Sequence, residues 1–153
     1  ALEPLPDLLA NASFTYARAT FDDDAGQYTS GDLLPYVPQI VARADAAFTP
    51  EFEDVFAWAV LRGHLGIGAT YLGRRPLPYA EFGSDTFLLD ARAALRLGPV
   101  ETALDVYNVL DADWYDGEFV YASSFTGSAS LVPERHVTVG APRAFVWSLS
   151  LFV

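Results

Sequence analysis

Apolar residues recur at every second position along this chain, and a period of two admits strands and little else. The C-terminal stretch displays it openly. Phe145, Trp147, Leu149, Leu151 and Val153 share one face, while Ala144, Val146, Ser148 and Ser150 share the other. Phe87, Leu89, Ala91, Ala93, Leu95 and Leu97 likewise oppose Asp90, Arg92, Ala94 and Arg96. Ile40, Ala42, Ala44, Ala46 and Phe48 oppose Val41, Arg43, Asp45 and Ala47. Leu61, Leu65, Ile67, Ala69 and Tyr71 oppose Arg62, His64, Gly66, Gly68 and Thr70. Val100, Thr102, Leu104 and Val106 oppose Glu101, Ala103 and Asp105, and Ala12, Phe14 and Tyr16 oppose Ser13, Thr15 and Ala17. The pattern predicts an all-β chain of about six strands, each with two different environments.

The connections alternate as well. Thr49 to Val55 and Gly98-Pro99 read as short turns, whereas Asp22 to Pro38, Gly73 to Ser84 and Asp111 to Pro142 are long and rich in Gly, Pro, Asp and Ser. Short turns at one end and long loops at the other is the layout of antiparallel outer-membrane barrels. The charges follow that layout. Net charge is −11, and all bases are Arg. The polar strand positions Arg43, Asp45, Arg62, Asp90, Arg92, Arg96, Glu101 and Asp105 balance to zero, so the surplus of acid lies in the long loops and short turns. A wall in hydrocarbon demands such a distribution, because unpaired charge in the apolar band costs several kcal/mol. Arg18, which falls on the apolar parity, is tolerated near a membrane rim, where that cost fades. Aromatics gather near strand ends, with Tyr16, Tyr71, Phe87, Trp114 and Phe145 toward the loops and Phe48, Phe52, Phe56 and Trp58 toward the turns.

Composition removes several function classes. The acidic balance argues against a nucleic-acid partner, whose footprint is basic. Without Cys there is no thiolate metal site and no Cys nucleophile. No apolar run is long enough for a transmembrane helix. The chain opens at Ala1 without a basic, apolar leader, which reads as a processed start or the tail of a longer protein. Six strands are too few to close a membrane barrel, for which eight is about the minimum. An open sheet in lipid would leave backbone groups unpaired. The expectation is therefore one part of a larger barrel. The alternatives are a soluble all-β binding module and a smaller or shared outer-membrane barrel with a structural role.

Four segments resemble, in order, the C-terminal portion of TonB-dependent outer-membrane receptors. Gly31-Asp32-Leu33-Leu34-Pro35-Tyr36-Val37-Pro38 is similar to that family's G-x-x-L-P-x-V-P segment. Gly66-Ile67-Gly68-Ala69-Thr70-Tyr71-Leu72-Gly73 resembles its G-x-x-Y-x-G strand. Leu104-Asp105-Val106-Tyr107-Asn108-Val109-Leu110-Asp111 with Trp114-Tyr115 resembles L-x-V-x-N-L-F-D-x-x-Y, and Gly140-Ala141-Pro142-Arg143 resembles G-x-P-R before the last strand. Two departures stand out: Leu110 replaces the usual Phe, and Val153 takes the terminal place, leaving Phe152 penultimate and inward-facing.

The resemblance implies antiparallel transmembrane strands of a 22-stranded barrel in the bacterial outer membrane. Residues 1–153 would form the C-terminal segment, with the plug domain absent. It implies non-enzymatic import of a scarce nutrient, such as a ferric siderophore or other metal chelate, in a Gram-negative cell. The implied partners are the rest of the receptor chain with its plug, TonB through the missing N-terminal part, the barrel assembly machinery and lipopolysaccharide. No cofactor and no metal are expected.

Site expectations follow from the parity and the resemblance together. Arg43, Asp45, Arg62, His64, Asp90, Arg92, Arg96, Glu101 and Asp105 are expected to face the lumen and the plug. Phe145, Trp147, Leu149, Leu151 and Val153 form the C-terminal assembly signal. Tyr36, Arg74, Arg75, Trp114, Tyr115, Arg135 and His136 are expected loop contacts for ligand. A hydrolase reading lacks a G-x-S-x-G elbow. Asp22-Asp23-Asp24 lacks EF-hand spacing and reads as a solvated acidic loop. Gly63, Gly66 and Gly68 lie in a strand and mark a bend or close packing rather than a phosphate loop.

Overall fold

The computed structural model describes residues 2–5, 7–56, 59–124, 127 and 130–152. Among these the chain is all-β and antiparallel, with ten strands and one short 3-10 turn at Pro78–Ala80. The strands are β1 (Leu2–Leu5), β2 (Leu8–Tyr16), β3 (Ile40–Phe48), β4 (Glu51–Phe56), β5 (Ala59–Leu72), β6 (Thr86–Leu97), β7 (Val100–Tyr107), β8 (Tyr115–Ser123), β9 (Val132–Val139) and β10 (Ala144–Leu151). The main sheet runs β1-β2-β3-β5-β6-β7-β10, with β4 also on β5. Strands β8 and β9 form a separate hairpin. Among the described residues β1 and β10 do not pair, so the sheet is open.

Three expectations need correction. The segment from Thr49 to Val55 is not a turn, because Glu51–Phe56 is a strand on β5. Pro50 hid it: with no N–H, Pro interrupts the ladder, and here Gly63 N instead donates to Pro50 O at 2.8 Å. Strands β3 and β4 thus pair with successive stretches of β5, and Glu51 leaves the turn for the polar face. Second, Leu2–Leu5 adds an edge strand against β2, so the main sheet is wider than six strands. Third, the long connection from Asp111 to Pro142 holds the β8–β9 hairpin.

Register keeps the two faces apart across β2, β3, β5, β6, β7 and β10. Phe14, Ala42, Tyr71 and Phe87 lie in one cross-strand row. Leu8, Phe48, Leu65, Ala93, Leu104 and Trp147 lie in another. Between them run small and aliphatic residues such as Ala46, Ile67, Ala91 and Val106. The polar residues share rows of their own on the opposite face. A slip of one residue in any of these pairs would move its side chains to the other face.

Nothing in the described chain covers the apolar face. Trp147 is 68% exposed and Phe145 65%, with Phe14, Leu65, Ile67, Leu149 and Leu151 also open. The buried apolar residues are few: Leu77 and Val120 at the loop end, and Ala94 and Ala103 on the polar face of the sheet. Accessible surface totals 10378 Å². A folded monomer of 16.7 kDa exposes about 7,600 Å² by the usual size scaling. The sheet is a wall without a core of its own.

Candidate functional site

The polar face carries cross-strand ion pairs whose geometry follows from register. Arg92 lies opposite Asp105 and binds it at 2.8 Å, and reaches Glu101, four residues along β7 and opposite Arg96, at 3.4 Å. Arg62 lies opposite Glu51 and binds it at 2.7 Å. Arg43 and Asp45, two apart on β3, pair at 2.9 Å. Arg62 and Arg96 also face each other, which is unfavourable for like charges. The conflict is relieved because Arg62 turns to Glu51, while Arg96 sits 4.0 Å over the Phe152 ring and donates to Gly98 O at 3.2 Å. Phe152 therefore lies on the polar side, as parity implied.

Gly68 explains part of this arrangement. A Cβ there would come within 2.9 Å of Asp45 Oδ1, so the glycine leaves room for the Arg43–Asp45 pair above the strand. A shallow hollow of about 320 Å³ opens on this face among Asn11, Arg43, Asp45, Asp90, Arg92 and Asp105. His64 is half-buried on the same face and has no hydrogen-bond partner among the described residues. The expected lumen-facing residues are thus brought together, with Asp90 accepting Asn108 N at 2.8 Å where the sheet meets the loops.

At the loop end, two segments distant in sequence interlock. Asn108 adopts a left-handed backbone (φ 50°) and is buried. Its side chain donates to Ala112 O and Ala141 O and accepts from Ala112 N. Asp111 accepts Arg143 N at 3.0 Å. Trp114 Nε1 donates to Ala141 O at 3.0 Å, and its ring lies where a Cβ on residue 140 would be, so Gly140 is required. The Leu104–Tyr115 and Gly140–Arg143 segments, singled out separately in the sequence, are one structural unit.

The β8–β9 hairpin is tied down by a residue that sequence reasoning passed over. Glu118 is 2% exposed. It accepts from Ser84 N at 2.8 Å and Ser84 Oγ at 3.2 Å, pairs closely with Arg135, and lies 3.9 Å from Arg75. A Cβ at Gly83 would collide with its carboxylate. Alternation along β8 would turn Phe119 and Tyr121 inward, whereas the fold buries Glu118 and supplies Arg75, Ser84 and Arg135 as its partners.

The expected loop contacts do not converge on one point. Arg75 and Arg135 are engaged with Glu118, and Trp114 covers Gly140. Tyr36, also left-handed (φ 67°), donates its N–H to Pro76 O and lies 5.8 Å from the Phe119 ring. His136 stacks on Tyr121 at 3.9 Å and meets Ser123 Oγ at 3.0 Å. Tyr115 opens β8, and Arg74 is exposed without an ion pair among the described residues. The side chains of Phe145, Trp147, Leu149 and Leu151 line the apolar side of β10, with Trp147 Nε1 donating to Thr102 Oγ1. Val153, Trp58 and the Phe56 side chain lie outside the described residues.

Asp24 and Asp32 hold local turns, accepting Ser30 N and Thr29 N respectively. No group of three or more metal-binding side chains gathers among the described residues. Comparison with family models, curated proteins and solved structures gives no match for this chain.

Proposed function

We propose that this chain forms a C-terminal wall segment of a TonB-dependent receptor in the bacterial outer membrane, importing a scarce nutrient such as a metal chelate. The observation that carries the reading is the separation of the faces. One face is apolar and uncovered, the other holds mutually paired charges, and the ends differ in loop length. Lipid replaces the missing core on the first face. On the second, ion pairs such as Arg92–Asp105 meet water and a plug domain, making polar contacts that can exchange for water when the plug moves.

Strand lengths support this. Strands β2 and β3 have 9 residues, β5 has 14, β6 has 12, and β7 and β10 have 8 each, against about 9–11 needed to cross hydrocarbon when tilted. The open edges at β1 and β10 must pair with further strands in lipid, since unpaired backbone groups there cost several kcal/mol each. In this reading import is energised through TonB and the plug. The segment contributes wall, external loops and, in β10, the signal read by the assembly machinery.

A fluorophore on a single cysteine reports the inside–outside assignment. Placed at Leu65 or Leu149 in the membrane-inserted protein, it is expected to be quenched by nitroxide lipids. Placed at Ser13 or Ser148, it is expected not to be. Equal quenching on both faces, or a chain that never partitions into vesicles, rejects the proposal.

A further inference from the structure

We propose that Arg96 is a two-position switch: it holds Phe152 while the end of β10 is seated, and it pairs with Glu101 when that end lifts. The inference rests on register and does not depend on what faces the sheet.

Register gives three arginines of β5 and β6 an acid directly opposite: Glu51 for Arg62, Asp105 for Arg92 and Glu101 for Arg96. Arg62 binds its acid at 2.7 Å and Arg92 binds its own at 2.8 Å. Arg96 does not. Its guanidinium lies 4.0 Å from the centre of the Phe152 ring, and it has no ion pair among the described residues. Glu101 is reached by Arg92 instead, at 3.4 Å, the longer of that arginine's two contacts. One base thus holds two acids while its neighbour on the strand holds none. Opposite charges facing each other across a ladder attract, so the pairing that register prepares stays available. Arg92 would keep Asp105 if Glu101 turned to Arg96.

The Phe152 ring is what competes with Glu101. A guanidinium over an aromatic face is held by the ring quadrupole. Phe152 N donates to Pro99 O at 2.7 Å, one step past the Leu151–Val100 pair, and so carries the β7–β10 ladder to its end. Arg96 Nε donates to Gly98 O at 3.2 Å in the same turn, where Gly98 takes φ 56°. The turn, the guanidinium and the end of β10 form one unit at an open edge of the sheet. When the ring leaves, Arg96 still faces Arg62 across the ladder, and Glu101 is the acid opposite it. The coupling is reciprocal: a group that engages Glu101 from the polar side leaves Arg96 to Phe152 and steadies the end of β10.

Hydrogen exchange of the full chain in detergent micelles, read by NMR at the Phe152 amide, tests this. Glu101→Gln removes the competing partner and is expected to slow that exchange about threefold, the size of one exposed ion pair. Arg96→Gln is expected to quicken it by a similar factor, and E101Q added to R96Q should then have no effect. Asp23→Asn, a charge removed in a distant loop, should leave it unchanged. The proposal is overturned if E101Q fails to slow the exchange, if its effect survives in R96Q, or if D23N matches it. A slowing shared equally by the amides of β5 also overturns it. If R96Q does not fold, Phe152→Leu decides: the Arg96 Nε–H resonance should respond to E101Q in F152L and not in the unsubstituted chain, and the same response in both rejects the switch.

Discussion

Glu118 concentrates the loop energetics in one carboxylate. Arg75 has only 15% of its side chain exposed, and its Nε has no hydrogen-bond partner. Removing the acid would leave that guanidinium buried and uncompensated. Breaking a buried pair in this way costs about 3–5 kcal/mol, and the partial exposure of Arg135 puts the expected value toward the lower end. Glu118→Ala should therefore release the β8–β9 hairpin from the 73–84 loop while leaving the main sheet intact. Amide exchange is expected to quicken within residues 115–139 and not within β5 or β6. Equal quickening in both would mean that the hairpin is not an independent unit. Asn108 works differently, through five hydrogen bonds around a left-handed turn. Its place in a recurrent motif made it visible in advance, whereas Glu118 stood in no motif.

At the scale of the element, parity was legible and continuity was not. The cross-strand rows of β2, β3, β5, β6, β7 and β10 keep the faces that two-residue alternation assigned, from Phe14–Ala42 through Trp147–Leu104. Strand β4 escaped because Pro50 and the acids Glu51, Glu53 and Asp54 look like a turn when only local composition is read. Substitutions on neighbouring rows separate the faces. If the apolar face meets lipid as proposed, Ile67→Lys, at the middle of β5 on that face, is expected to destabilise the fold by about 2–4 kcal/mol. Ala47→Lys, on the polar face opposite Gly66, is expected to change stability by less than about 1 kcal/mol. Urea unfolding in detergent or bilayer measures both, and an effect of Ala47→Lys as large as that of Ile67→Lys would reverse the assignment.

For the whole molecule, the decisive quantity is the surface that stays uncovered. Side chains such as Phe145, Trp147 and Leu151 stay exposed, and no described segment covers them. In buffer without detergent the chain is expected to associate and to lack a single cooperative thermal transition. In micelles it should show a fixed near-ultraviolet signal from its tryptophans. A monodisperse monomer in buffer with one sharp transition would contradict a lipid-facing wall. The same area account separates the two ends: the loop end has its own small core at Leu77 and Val120, while the sheet has none on its apolar side.

Alternation of side chains across a strand is a covalent property of the extended backbone, so the sequence alone determined which residues share a face and which end has long loops. The balance of charge on the polar strands was readable for the same reason. Tertiary structure alone decided that β4 pairs with β5 beyond Pro50, that Glu118 meets Arg75, Ser84 and Arg135, and that Trp114 lies over Gly140. The contacts of Glu118 and Trp114 join residues far apart in sequence, and no local period encodes where the intervening loops carry the chain.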